Sequence, residues 1–125
     1  MAILMSNWIE VGILDESNCD FSEYNMYIGV YKAILNGKVV YIGKATELNN
    51  RGFRKRLRDY TRDNDSARNY LSGKKMYENC NEIIIEVFIV ESSFEGQKEA
   101  SKLEKKFIDE FKPIWNSLDK NKTVS

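Results

Sequence analysis

Residues 27–43 read YIGVYKAILNGKVVYIG. Two runs rich in β-branched and aromatic residues meet at Asn36-Gly37, a pattern that predicts an antiparallel hairpin. Each run carries a Gly/Tyr cluster, GVY at 29–31 and YIG at 41–43, placed almost as mirror images about the turn. A two-residue turn would set Leu35 against Lys38 and send Tyr31 and Tyr41 to opposite faces of the sheet. A three-residue loop over 35–37, with Gly37 left-handed and a bulge, would set Tyr31 opposite Tyr41 and Gly29 opposite Gly43. The second register is preferred because it gives both strand glycines a reason: glycine weakens a strand and marks close approach of a ligand or another backbone. Two phenols would then share one small site, since cross-strand partners lie about 5 Å apart. The plainer alternative is an aromatic pair that stabilises the hairpin.

Outward from the hairpin, strands are predicted over 26–34 and 39–42. A basic helix follows over 52–61, with Phe53 and Leu57 one turn apart on its apolar face. A second helix is expected from Ser66, a possible N-cap, to Gly73. The block IIIEVFIV at 83–90 reads as a strand buried on both faces. A last helix spans 96–111 and stops before Pro113. WIEVGIL at 8–14 fits a strand or part of a helix equally well. With one proline and no repeats, the chain of 125 residues is expected to form one domain. It divides into an N-terminal extension (1–25), the domain proper (26–117) and a polar tail (118–125).

Composition narrows the chemistry. The chain has no histidine and only two cysteines, Cys19 and Cys80, which excludes His-based triads and the usual zinc sites. No export signal or membrane-length apolar run is evident, so a cytoplasmic protein with free thiols is expected and no membrane association. Lys plus Arg balance Asp plus Glu at 19 each, yet the charges are segregated. Residues 1–26 hold five acidic residues and no basic one. Between 44 and 75 lie Lys44, Arg51, Arg54, Lys55, Arg56, Arg58, Arg62, Arg68, Lys74 and Lys75. Such a concentration is a footprint for a polyanion, although a charge run by itself is more often a solvated helix face.

The final helix holds a second anomaly. Ala100, Leu103, Phe107, Ile108 and Phe111 form its apolar stripe, and Glu104 falls inside it. A carboxylate there is costly without a cation. Either Glu104 sits at an edge and pairs with solvent or an arginine, or it holds a metal. One carboxylate with water and phosphate oxygens suits magnesium or manganese.

GVY at 29–31, YIG followed at once by Lys44, Arg56 within KRLRDY, Glu104 within KLEKKFIDEF and Asn116 within KPIWN resemble the GIY-YIG nuclease domain over about residues 26–117. Val30 replaces the family's isoleucine. Tyr60 stands where many members carry histidine; the nuclease domain of the bacterial excision-repair incision subunit, which the chain resembles most, also has a tyrosine there. The resemblance implies an α+β fold: a three-stranded antiparallel sheet flanked by helices in the order β-β-α-α-β-α, here with an acidic N-terminal extension. It implies metal-dependent hydrolysis of a DNA phosphodiester, with Mg2+ or Mn2+ on Glu104 and Arg56 on the phosphate. Lys44 and Arg56 favour a phenolate nearby, so proton abstraction is assigned to Tyr31 and orientation of water or phosphate to Tyr41, the reverse remaining open. Tyr60 is a further polar contact, and Asn116 supports the site or merely caps a helix.

The basic stretch then reads as a DNA grip. Arg51, Arg54, Lys55 and Arg58, with Arg62, Arg68, Lys74 and Lys75, would hold flanking phosphates without reading sequence. No separate DNA-reading module is recognisable, and a homodimer is expected if both strands are cut. The competing classes are a catalytically weak nucleic-acid-binding module of the same fold and a protein-interaction domain. Neither requires Tyr31, Tyr41, Arg56, Glu104 and Asn116 together.

Overall fold

The computed structural model describes residues 7–14, 24, 26–48, 52–61 and 71–120, with the side chains of 119 and 120 excepted. The hairpin forms as strands β2 (Ile28–Leu35) and β3 (Lys38–Ala45). Its turn is the two-residue one: Leu35 pairs with Lys38, and Asn36 and Gly37 both have positive φ, 53° and 78°. That is the turn whose twist matches the flanking strands. The expected three-residue loop is therefore incorrect, and so is its register. Tyr31 faces Gly43, Ala33 faces Tyr41 and Gly29 faces Ala45.

A bulge at Val40 nevertheless restores the shared face. It inserts one residue between the Ile34–Val39 and Ala33–Tyr41 pairs, so Tyr41 returns to the side of Tyr31 as its diagonal neighbour. Their ring centroids are 6.3 Å apart. Gly43 is explained by the Tyr31 ring, which lies so close across it that a Cβ there would strike the phenol. The glycine thus marks the approach of an intramolecular ring, as when an aromatic side chain covers a strand glycine.

Strand β4 (Ile84–Val90) pairs with β2, and β1 (Ile9–Ile13) pairs with β4. The sheet has four antiparallel strands in the order β1-β4-β2-β3, one more than expected. WIEVGIL resolves as a strand because β4 offers it an unpaired edge, which local periodicity cannot register. Along the other edge Trp115 N–H donates to Val40 O at 2.9 Å, which partly covers β3.

Helices pack on both sides. Helix α1 (Gly52–Asp59) and helix α2 (Leu71–Glu78) lie on one. There Phe53, Leu57, Tyr60 and Met76 bury against Tyr31, Ala33, Ile85 and Val87. Helix α2 does not stop near Gly73, since Ser72, Gly73 and Met76 form its buried face and carry the helix onward. The proposed cap Ser66 lies outside the described residues. Helix α3 (Phe94–Phe111) covers the other face, its Ala100, Leu103 and Phe107 against Ile28, Val30, Ile42 and Phe88. It begins two residues earlier than predicted because Ser93 caps it, the side chain accepting from Gly96 N–H at 3.0 Å. A short helix α4 (Asn116–Lys120) runs across the expected boundary between the domain and the polar tail. Among the described residues no helix is long and apolar enough to cross a membrane.

Candidate active site

Strand alternation divides the expected site residues between the two faces of β3, the edge strand. Tyr31, Tyr41, Arg56 and Tyr60 stand on the α1 side. Lys44 points to the α3 side, where it meets the helix that carries Glu104. Asn116 lies at the free edge between them.

On the α1 side, Arg56 is three residues beyond the buried Phe53 and one turn before Tyr60, so the buried face of α1 delivers both to the tyrosine cluster. The Tyr31 and Tyr60 hydroxyls are 2.6 Å apart, and their rings meet edge-on with centroids 6.1 Å apart. Tyr31 is 1% exposed. Its phenol is pushed well above its ordinary value, first by burial and then by Tyr60 and Tyr41, with Arg56 acting in the opposite direction. Burial also opposes the charge on Arg56, but Tyr31, Tyr60, Asp59 and Glu47 outweigh it and raise the guanidinium above its usual value.

On the α3 side the Lys44 ammonium donates to Ser101 Oγ at 3.0 Å. Glu104 is half-buried one turn further along. Burial raises its carboxyl above the ordinary range, partly offset by Lys44 and Lys105. Among the described residues no three Asp, Glu, Cys or His side chains group together. The available donor set is a single carboxylate that is incompletely compensated.

Asn116 bonds to the free edge of β3. Its Oδ1 accepts from Ile42 N–H at 2.9 Å, and its Nδ2 donates to Ile42 O at 2.8 Å. Both bonds pin the backbone between Tyr41 and Gly43.

The expected grip is uneven. Arg54 is partly exposed, while Lys74 and Lys75 are exposed on α2. Lys55 is already engaged by Glu47 at 3.6 Å and Asp59 at 3.4 Å. Arg58 Nε is buried with no hydrogen-bond partner. Arg51, Arg62 and Arg68 lie outside the described residues, as does Cys19, while the Cys80 thiol donates to Asn81 Oδ1 at 3.7 Å. Sequence reasoning missed Glu47, Gln97 and Ser101. Ser101 had a legible signal: a small polar residue three positions before Glu104, on the same helix face.

Guanidinium, phenols, ammonium and carboxylate thus gather about one strand edge of an α+β fold. Residues 27–117 match the family model of the UvrC-like GIY-YIG domain, and the chain belongs to that family, which is in general one of nucleases. No curated protein matches the chain.

Proposed function

We propose that the protein is a metal-dependent DNA endonuclease or nickase that hydrolyses a phosphodiester bond. The observation that carries this reading is the placement of Arg56 against the tyrosine cluster beside β3, with Glu104 and Lys44 on the other side of the same strand. DNA is the substrate, and cutting both strands would call for two copies of the chain.

Each group has a task. Arg56 takes the non-bridging phosphate oxygens with its planar fork, where charge grows in the transition state. A general base must spend some time deprotonated, and the buried Tyr31 is poorly suited to that. The half-buried Tyr41 is the better base, which exchanges the roles first assigned from sequence. Tyr31 and Tyr60 then orient Arg56. Asn116 holds the Tyr41–Gly43 backbone rigid, and Lys44 adds positive charge at the phosphate. The under-compensated Glu104 carboxylate would hold a divalent cation, a hard oxygen donor being the kind such an ion takes. Bound there, Mg2+ or Mn2+ supplies Lewis-acid stabilisation of phosphate and leaving oxygen. Arg54, Lys74 and Lys75 grip flanking phosphates.

Supercoiled plasmid incubated with the protein in EDTA, Mg2+ or Mn2+ tests this. Metal-dependent open-circle or linear product is expected, the former marking a nickase. A gel shift without cleavage under any metal would overturn the hydrolase reading in favour of a binding module.

A further inference from the structure

We propose that Ser101 is a positioning residue, a spacer that parks the Lys44 ammonium and keeps it from closing an ion pair on Glu104. This rests on the reading of Glu104 as the cation-holding carboxylate. The geometry is specific. Ser101 Oγ donates its only proton to Gln97 O at 3.2 Å, four residues back in α3. Its lone pairs therefore face outward and accept from Lys44 Nζ at 3.0 Å. An ammonium is donor-only, so the polarity of this pair cannot reverse.

The platform beneath is tied down as well. Gln97 Nε2 donates to Thr46 O at 2.7 Å, which fastens α3 to the end of β3 just beyond Lys44. Ser101 and Glu104, three residues apart, share one face of α3. Lys44 thus stands near enough for its charge to act on the carboxylate, but no Lys44–Glu104 ion pair forms. Without an anchor, a flexible lysine beside a half-buried carboxylate would close onto it. It would then compete with a divalent cation for the same oxygens. Anchored, it leaves Glu104 open and presents its remaining protons toward the phosphate site.

The experiment measures Mn2+ binding to the full chain by electron paramagnetic resonance of free Mn2+, beside plasmid cleavage. Ser101→Ala should weaken Mn2+ binding by about five-fold, the competition expected from a partly exposed ion pair. Ser101→Thr, which keeps the hydroxyl, should recover most of that loss. Lys44→Met in the Ser101→Ala background should restore binding to the wild-type level, although cleavage stays impaired. Mn2+ affinity unchanged in Ser101→Ala, or not restored by Lys44→Met, overturns the spacer. So does a wild-type protein that binds Mn2+ no better than Glu104→Gln, for then there is no cation site to protect. Glu104-dependent Mn2+ binding without plasmid cleavage would overturn the nuclease reading alone, and the Ser101 comparison would still decide the spacer. Thermal melts of every variant guard against loss of fold.

Discussion

Tyr31 and Tyr41 differ chiefly in access to water, and access decides which phenol can act as a base. Tyr41→Phe should cut single-turnover cleavage by roughly 100-fold or more, the scale of a lost general base, while DNA affinity changes little. Tyr31→Phe should cost less in rate but destabilise the fold by about 1 kcal/mol, the net worth of the hydroxyl pair it removes. Equal rate losses in the two variants would return the base to either tyrosine. The burial of Tyr31 also predicts a pH effect. The folded chain keeps this proton above pH 10, where the unfolded chain releases it. Stability is therefore fully present below about pH 10 and lost as pH rises toward the folded value. Urea midpoints at pH 9 and 11 should show a smaller decline in Tyr31→Phe than in wild type. Glu104→Gln should abolish cleavage without lowering the melting temperature, because the ionised carboxylate is disfavoured where it sits.

At the scale of elements, α1 divides into gripping and chemical residues. Arg54→Ala should weaken DNA binding alike for all sequences and reduce the salt slope by about one unit, with the rate at saturation preserved. Arg56→Ala should show the reverse, modest loss of affinity and severe loss of rate. Lys55→Ala should alter the salt slope less than Arg54→Ala, since its ammonium is already shared by Glu47 and Asp59. Equal rate losses for Arg54→Ala and Arg56→Ala at saturating DNA would refute this division. The edge of β3 gives an independent test. Asn116→Ala removes both bonds to Ile42, so Ile42 amide exchange should accelerate and cleavage slow at unchanged DNA affinity. Unchanged exchange at Ile42 would remove Asn116 from the support of the site.

For the whole molecule, β1 makes the sheet four-stranded and shields β4. Leu14 is fully buried, and Trp8 packs on Phe88 and Phe107 at 5.5 and 4.9 Å between ring centroids. Lys32 Nζ lies over Trp8 at 4.4 Å and over Phe111 at 4.9 Å while bonding Glu86 at 3.2 Å. The segment from Trp8 to Leu14 is thereby locked to the centre of the sheet and the end of α3. Removal of residues 1–14 should lower the melting temperature and promote association, because β4 would become a bare edge. A truncated chain that melts and elutes as wild type does would show that β1 is dispensable.

Local periodicity and residue chemistry were enough to read the hairpin, the buried strand at 83–90, helix α3 with its stripe, and Glu104 as an anomaly within that stripe. These features depend on neighbours within a few residues, where alternation and helical repeat act directly. The register did not follow in the same way. Two turns compete at Asn36-Gly37, and the outcome was decided by a bulge at Val40 and by Tyr31 lying across Gly43. The fourth strand needed an open edge on β4, far along the chain from β1. The bonds of Asn116 to Ile42 and of Ser101 to Lys44 likewise join residues that only the packed sheet and helices bring together. Where two local arrangements lie close in energy, long-range packing selects between them, and that selection is carried by the tertiary structure.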